Sequence, residues 1–512
     1  MLLSLVWRRK LLEVEGEQYD VIVVGAGSSG GTVAARLSED AGCNVLLVEA
    51  GPDFPDEREN PPEFVTGGAL FGEGGAGSGA PVPDLDWGYV SEALPGDRTV
   101  PLRRGKLVGG TSMINGCVAV RARPEDFGGW VDAGADGWDW DAVVPYYEAV
   151  EREIPINRYP QELWLPFQRS FVDACVEIGF RYAEDFNAPD AWDGVAGPWP
   201  RNRRNEIRQG SLVTYIRAAR HRPNFTIADR TLVDRVELDH GRVCGVAYVD
   251  RDGQRGSIRA DRVVLCAGAY GSAPILLRSG IGPADELRGL GIESAIDLPV
   301  GRGLLEHPGF RFLVTLTREH ARGGWPGLAA AARGDGWWAI PGVYDEERQI
   351  GWLGFFLALL DGPEGRISLS SAAADEPPRI DHGYAALLSS GAFDGVWEDF
   401  QRLLDTAALR DAGVTDLGRD TPFGERLRDG ISTGTHPVGG CAIGRVVDPQ
   451  LAVYGVEGLR VADASVFPRH VTNNPNLTCH MVGEVAAAVL RGNAREVTQR
   501  AHRGPPSTTH AA

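Results

Sequence analysis

The sequence predicts an α/β fold, and three observations predict it. Residues 21–24 (VIVV) are a short β-branched apolar run of the kind that fills a buried parallel strand. That run enters the turn Gly25-x-Gly27-x-x-Gly30, after which Thr32, Ala34, Ala35 and Leu37 support a helix packed close to a sheet. A second apolar run, 45–48, ends in Glu49, nineteen residues beyond Gly30. Strand, glycines, helix, strand and terminal acid in one unit read as a Rossmann-like dinucleotide-binding element.

Each glycine has a mechanical purpose. Gly25 permits the tight turn, Gly27 lets a pyrophosphate approach the backbone, and Gly30 lets helix and strand pack closely. The helix N-terminus offers free N–H groups and a positive dipole end to the phosphates, and Glu49 can accept hydrogen bonds from an adenosine ribose. These residues alone do not separate NAD from FAD.

Composition narrows the function classes. A net charge of −19 on 512 residues argues against nucleic acid or an anionic membrane surface as partner. The 43% hydrophobic content supports a large core, and no apolar run has the length of a transmembrane helix. The seven cysteines are odd in number and never spaced as CxxC. Cys43, Cys117, Cys244 and Cys266 lie in or beside apolar runs, so buried thiols in a reducing compartment are expected, and no metal site. The first ten residues, MLLSLVWRRK, put the apolar part before the basic part, the reverse of a secretory signal; the expected location is cytoplasmic.

Along the chain, 52–104 has no helix or strand periodicity, and its glycine-rich stretch 67–80 reads as a lid over a ligand site or a plain surface loop. A second glycine and hydroxyl cluster, 104–116, can bring backbone N–H groups and Asn115 against a cofactor. A helix is expected over 138–151, with Trp130, Trp138, Tyr146 and Tyr147 as core. Residues 152–204 are mixed and rich in Pro and Trp. The runs at 224–228, 231–238 and 243–249, broken at Asp239-His240-Gly241, read as antiparallel strands with tight turns. A strand near 262–269 then feeds a helix over 272–279. Aromatic residues, including Trp325, Trp337, Trp338, Trp352, Phe355 and Phe356, concentrate in 306–428, the candidate substrate domain, where 351–360 reads as a buried strand. A strand at 459–462 and a helix over 477–490 precede a polar tail, 493–512, expected to be disordered.

Five segments, in order, resemble the glucose–methanol–choline (GMC) oxidoreductase family of FAD-dependent alcohol oxidases and dehydrogenases. They are the fingerprint, GKLVGGTSMING, GAYGSAPILLRSGIG, DLPVGRGLLEHP, and HPVGGCAIG followed by GLRVADASVFP and NNPN, spread over nearly the whole chain. The resemblance implies an FAD-binding domain built from discontinuous pieces, 18–151, 205–305 and 430–492. It implies a substrate-binding domain with an antiparallel sheet, 152–204 and 306–429, inserted between them. By position, Gly25, Gly27, Ser28, Ser29, Gly30 and Glu49 serve the ADP part of FAD. Gly109, Thr111, Asn115, Gly116 and Val118 lie along the pyrophosphate and flavin, Val233 matches an adenine-contacting valine, and Asp463 an acid near the ribityl chain. Family members with covalent flavin carry a histidine where this chain has Ile114, so non-covalent FAD is expected.

His436 and Asn474 fall where the family keeps its catalytic pair, with Pro475 and Asn476 following along the flavin edge. Hydride loss from an alcohol carbon requires the hydroxyl proton to leave, and a neutral imidazole suits that task near pH 7. An amide can hold the alkoxide-like oxygen. His470 and His480 flank the Asn474 motif and compete for the role. The expected activity is FAD-dependent oxidation of the CH–OH group of a primary or activated alcohol, with oxygen or an unknown carrier as electron acceptor. The alternatives are a dehydrogenase serving a non-oxygen redox partner, including a peptide-derived cofactor, or a flavin-containing hydroxynitrile lyase.

Overall fold

A computed structural model describes residues 18–56, 85–94, 97–205, 207–324, 327–358 and 362–492. The first ten residues, the lid reading of 67–80, Trp325 and the tail 493–512 lie outside them. The fingerprint occupies the centre of a five-stranded parallel sheet. Its order is Leu459–Val461, Val263–Leu265, Val21–Val24, Val45–Val48, Phe225–Ala228. Every residue of Val21–Val24 and Val45–Val48 is buried, as a parallel sheet covered on both faces requires.

The helices Ser28–Leu37 and Asn476–Leu490 lock an early and a late segment of the chain together. The Ser29 hydroxyl donates to the Cys479 carbonyl (2.7 Å), and Arg36 Nε donates to both oxygens of Glu484 (2.9 and 3.0 Å). The helices approach closely at Gly483, where a Cβ would lie 2.8 Å from the Ser29 carbonyl oxygen.

The strand Phe225–Ala228 is parallel, contrary to the antiparallel expectation. The Asn224 amide donates to the carbonyls of Ser38, Asp40 and Cys43, which sets the strand's start beside that of Val45 and pairs Phe225 with Val45. The next three strands, Thr231–Asp239, Arg242–Asp250 and Arg255–Arg259, do form an antiparallel sheet. Asp239 pairs with Arg242, and His240 and Gly241 both have positive φ (49° and 79°), the geometry of a two-residue hairpin turn.

A seven-stranded sheet accounts for most of the aromatic-rich region. Its order is Ser432–Thr433, Pro308–Thr315, Ile350–Leu357, Trp337–Asp345, Ala330–Gly334, Val195–Pro198, Arg181–Tyr182, antiparallel except for the last pair. A helix the sequence pattern did not reveal, Pro166–Glu177, lies in the Pro- and Trp-rich segment and buries Phe167, Phe171 and Val172. Pro166 opens it at a position where its missing N–H costs nothing, and the Gln168 side chain accepts the Leu165 N–H (2.9 Å).

The expected helices are present with shifted ends: Trp140–Glu153, capped by Asp139 accepting from Ala142 N (3.2 Å), Ala269–Arg278, and Asn476–Leu490. Trp130, Trp138 and Tyr147 are core residues, and Tyr146 is half-buried against them. Within 52–104 two strands do occur, Tyr89–Val90 and Pro101–Leu102, too short to leave a periodic signature. The thiol expectation needs correcting: Cys117, Cys175, Cys266 and Cys441 are buried, whereas Cys43 and Cys244 are half-exposed. Cys43 ends a surface turn, and Cys244 sits in a strand whose pairing slips opposite Glu237 and Leu238. No helix among the described residues is long and apolar enough to cross a membrane.

Candidate active site

One cavity of about 500 Å³ runs from the fingerprint to His436 and Asn474. At its nucleotide end the strand Val21–Val24 delivers Gly25 in a left-handed conformation (φ 97°), where a Cβ would lie 2.5 Å from the Cys266 carbonyl oxygen. A Cβ on Gly30 would lie 1.9 Å from the Gly25 carbonyl oxygen, so helix and turn touch there. Gly27 is different: a Cβ there meets nothing within 4 Å and would project into open cavity. The backbone is thus bared where a pyrophosphate must approach, which is the fit an FAD site requires.

Glu49 closes this end. Its Oε2 accepts the Ala26 N–H and its Oε1 the Gly51 N–H, both at 2.9 Å. Burial pushes its carboxyl up to about 7 despite these bonds. The second glycine segment lies directly on the first, since a Cβ on Gly110 would sit 2.7 Å from Gly27 Cα. Asn115 Oδ1 accepts the Cys117 N–H (3.0 Å) and the buried Arg208 guanidinium (2.6 Å). Asp463 accepts the Gly268 N–H (2.8 Å) and the Ser272 hydroxyl (2.5 Å), and Ser28 donates to Asn476 Oδ1 (2.8 Å).

Of the expected cofactor residues, Gly25, Gly27, Ser28, Ser29 and Glu49 line the cavity. So do Thr111, Asn115, Gly116 and Val118, and Val233, Asp463, Pro475 and Asn476. Gly30 and Gly109 do not. Gly30 serves packing, and Gly109 is a turn residue (φ 101°) whose carbonyl accepts the Ser112 hydroxyl (2.6 Å).

At the other end the Asn474 amide nitrogen lies 2.8 Å from His436 Nε2. His307, a residue to which the sequence assigned no role, lies behind the ring, its Nδ1 3.0 Å from His436 Nδ1. The proton positions follow from the acceptors. His307 Nε2 is 2.9 Å from the Val471 carbonyl oxygen, which can only accept, so His307 carries its proton on Nε2. Its bare Nδ1 must then accept from His436 Nδ1–H. That leaves the lone pair of His436 Nε2 on the side of Asn474.

Four more contacts hold this arrangement. Glu306 Oε1 accepts the backbone N–H groups of His307 (2.9 Å) and His436 (2.7 Å). The His470 ring stacks on His307 at 3.7 Å between centroids, with its Nε2 2.8 Å from the His436 carbonyl oxygen. Burial first, then the neighbouring His470 and Arg104, hold the His436 imidazole well below its ordinary value, so it is neutral at pH 7. Neither competing histidine lines the cavity. His470 faces two backbone carbonyls, and His480 pairs with the Thr32 hydroxyl and stacks on Tyr215.

A bared glycine turn and an imidazole–amide pair in one cavity define the nucleotide-dependent oxidoreductase class. Comparison with known proteins places the chain within it: residues 19–309 and 361–483 match the two models of the GMC oxidoreductase family, and the chain belongs to that family, FAD enzymes acting on CH–OH donors. A GMC-type oxidoreductase of Rhodococcus erythropolis is 30% identical over 94% of this chain and 99% of its own length. An oxygen-dependent choline dehydrogenase of Rhizobium meliloti is 29% identical over 95% of this chain and 98% of its own. Among solved structures, pyridoxine 4-oxidase from Mesorbium loti superposes with a TM-score of 0.83 at 26% identity, covering 93% of this chain and 99% of that one.

Proposed function

We propose that the protein oxidises a primary or activated alcohol at its CH–OH group, with His436 as general base and Asn474 as the oxyanion donor. The single observation that carries this reading is the Asn474–His436 contact of 2.8 Å within the cavity that begins at Gly27. His436 Nε2 carries its lone pair toward the cavity, where it accepts the Asn474 N–H until an alcohol arrives; it is neutral at pH 7 and takes the hydroxyl proton. His307 accepts the opposite N–H and holds the ring in that tautomer. The Asn474 N–H turns to the alkoxide-like oxygen as charge gathers on it. Such general-base help is worth about 10²–10⁴-fold in rate. When bound, FAD supplies the two-electron acceptor for the hydride.

The cofactor is held without a covalent bond, since Ile114, where covalent members carry a histidine, offers no nucleophile. The expected residues that line the cavity would hold it, with Gly30 and Gly109 shaping the turns behind them. The division into a cofactor domain (18–151, 205–305, 430–492) and a substrate domain (152–204, 306–429) is supported by which strands enter which main sheet, except that Ser432–Thr433 joins the substrate-domain sheet and moves that boundary past 433. The seven cysteines are unpaired, which supports a reducing, cytoplasmic setting.

The test is anaerobic mixing of the flavin-loaded protein with a panel of primary alcohols. Bleaching of the flavin by at least one supports the reading, and a panel that leaves it oxidised contradicts it. Oxygen uptake with peroxide release, against reduction of a dye alone, then identifies the acceptor.

A further inference from the structure

The loop that carries Asn474 is pinned residue by residue. Thr472 donates both its N–H and its hydroxyl to Asp126 Oδ2 (3.1 and 3.0 Å). The Asn473 side chain is held at both polar ends. Its amide nitrogen donates to the Arg121 carbonyl (2.7 Å), and its Oδ1 accepts Arg333 Nη2 (2.6 Å). Pro475 follows with φ −76°, its ring fixing that angle and narrowing the choices of Asn474. Asn474 hangs between these fixed neighbours, its amide nitrogen 2.8 Å from His436 Nε2.

Arg333 is an expensive group to use for this purpose. It lies on the strand Ala330–Gly334 of the seven-stranded sheet and is buried. The acids that act on it, Asp193 and Asp126, are bonded elsewhere, Asp193 to Arg123 and Asp126 to Thr472. Its other bonds are to the carbonyls of Ala191 (3.0 Å) and Trp192 (3.4 Å), and its Cζ lies 5.3 Å from the centre of the Phe186 ring. Burial, and then the charge of Arg123, lowers the guanidinium to about 9, so it keeps its proton at pH 7. An apolar side chain could fill this space without burying a charge. What it could not do is hold Asn473 by a charge-assisted hydrogen bond.

The sheet register adds a second observation. Arg333 pairs with Trp338 across the sheet, and Trp338 lines the cavity with its ring 5.9 Å from that of His436. One cross-strand pair therefore reaches both proposed catalytic residues, His436 directly and Asn474 through its neighbour.

We propose that Arg333 is a positioning residue: through Asn473 it sets the Asn474 amide where charge gathers on the alcohol oxygen. This rests on the reading of Asn474 as oxyanion donor given above. Arg333 does not line the cavity, and it moves no proton or electron. Without it the amide loses its fixed aim, while FAD and alcohol keep their own contacts.

A double-mutant cycle on the flavin-loaded protein tests it, read as anaerobic flavin reduction by an alcohol that bleaches the unmodified protein. Arg333→Met is uncharged and similar in length, and should slow the limiting rate at saturating alcohol at least about tenfold with FAD retained. The apparent dissociation constant of the alcohol should change less than about threefold. In the Asn474→Ala background the same substitution should cost less than about twofold, because the amide it places is gone. Asn473→Ala breaks the link from the other side and should give the same results, including where Arg333→Met yields no folded protein. Equal slowing in both backgrounds, or none in either, overturns the positioning role and leaves the alcohol-oxidising reading standing. An unmodified protein that no alcohol reduces, or an Asn474→Ala protein reduced at the unmodified rate, overturns the reading beneath it, and the positioning role as well.

Discussion

The two ends of the cavity are built in opposite ways. The nucleotide end is made chiefly of backbone: Gly25 in a left-handed turn, Gly27 bared to the cavity, Gly30 pressed on the Gly25 carbonyl, and Glu49 tied to two N–H groups. Much of it comes from one contiguous strand–helix–strand unit. The alcohol end is made of side chains that meet only in three dimensions, His307 and His436 being 129 positions apart. Backbone sites tolerate no added atoms, whereas side-chain sites tolerate them at a cost in rate. The two ends should therefore fail differently.

The largest effect is expected at the nucleotide end. Gly27→Val places a branched side chain in the space a pyrophosphate needs, and the purified protein should lose its flavin absorbance while keeping its fold by circular dichroism. A variant that retains stoichiometric FAD would show that the phosphates lie elsewhere. At the alcohol end, Asn474→Ala should retain the flavin and slow its anaerobic reduction by no more than an oxyanion donor supplies, ~2.7–4 kcal/mol. His307→Ala removes the acceptor that fixes the His436 tautomer. A hydrogen bond of this type is worth ~0.5–1.5 kcal/mol, so reduction should slow by up to about tenfold, with FAD content unchanged.

The smallest effect is the pH response. His436 is lowered well below its ordinary value by burial, and in the proposed mechanism the neutral ring is the base. Rates of flavin reduction should therefore stay level as pH falls through 6.5, and decline only where the ring finally protonates. Glu306 behaves oppositely, burial raising its carboxyl to about 7. Glu49 is raised to about 7 as well, so a limb near pH 7 that disappears in Glu306→Gln or in Glu49→Gln belongs to that carboxyl, and one that persists in both contradicts the neutral-base assignment of His436.

The same contrast explains what the sequence could tell. Spacing alone exposes the fingerprint, because the strand, the three glycines and Glu49 are local and each obeys a steric rule. The fold class and the antiparallel hairpin at His240-Gly241 are legible for the same reason. The parallel setting of Phe225–Ala228 is not, because it depends on Asn224 reaching carbonyls at 38, 40 and 43. His307 sat in a recognisable segment but drew no role, since only tertiary packing brings it to His436. Trp338 and Phe356 were two aromatics among many until the sheet register put them side by side facing the cavity, while Trp337 and Phe355 went to the main core.

The central claim is that His436 takes the alcohol's proton in a cavity shared with FAD. Stopped-flow anaerobic reduction of the His436→Ala protein by an alcohol that bleaches the unmodified protein tests it most directly. The variant should stay yellow with FAD bound and be reduced at least about a hundredfold more slowly. Reduction at the unmodified rate would show that another group accepts the proton.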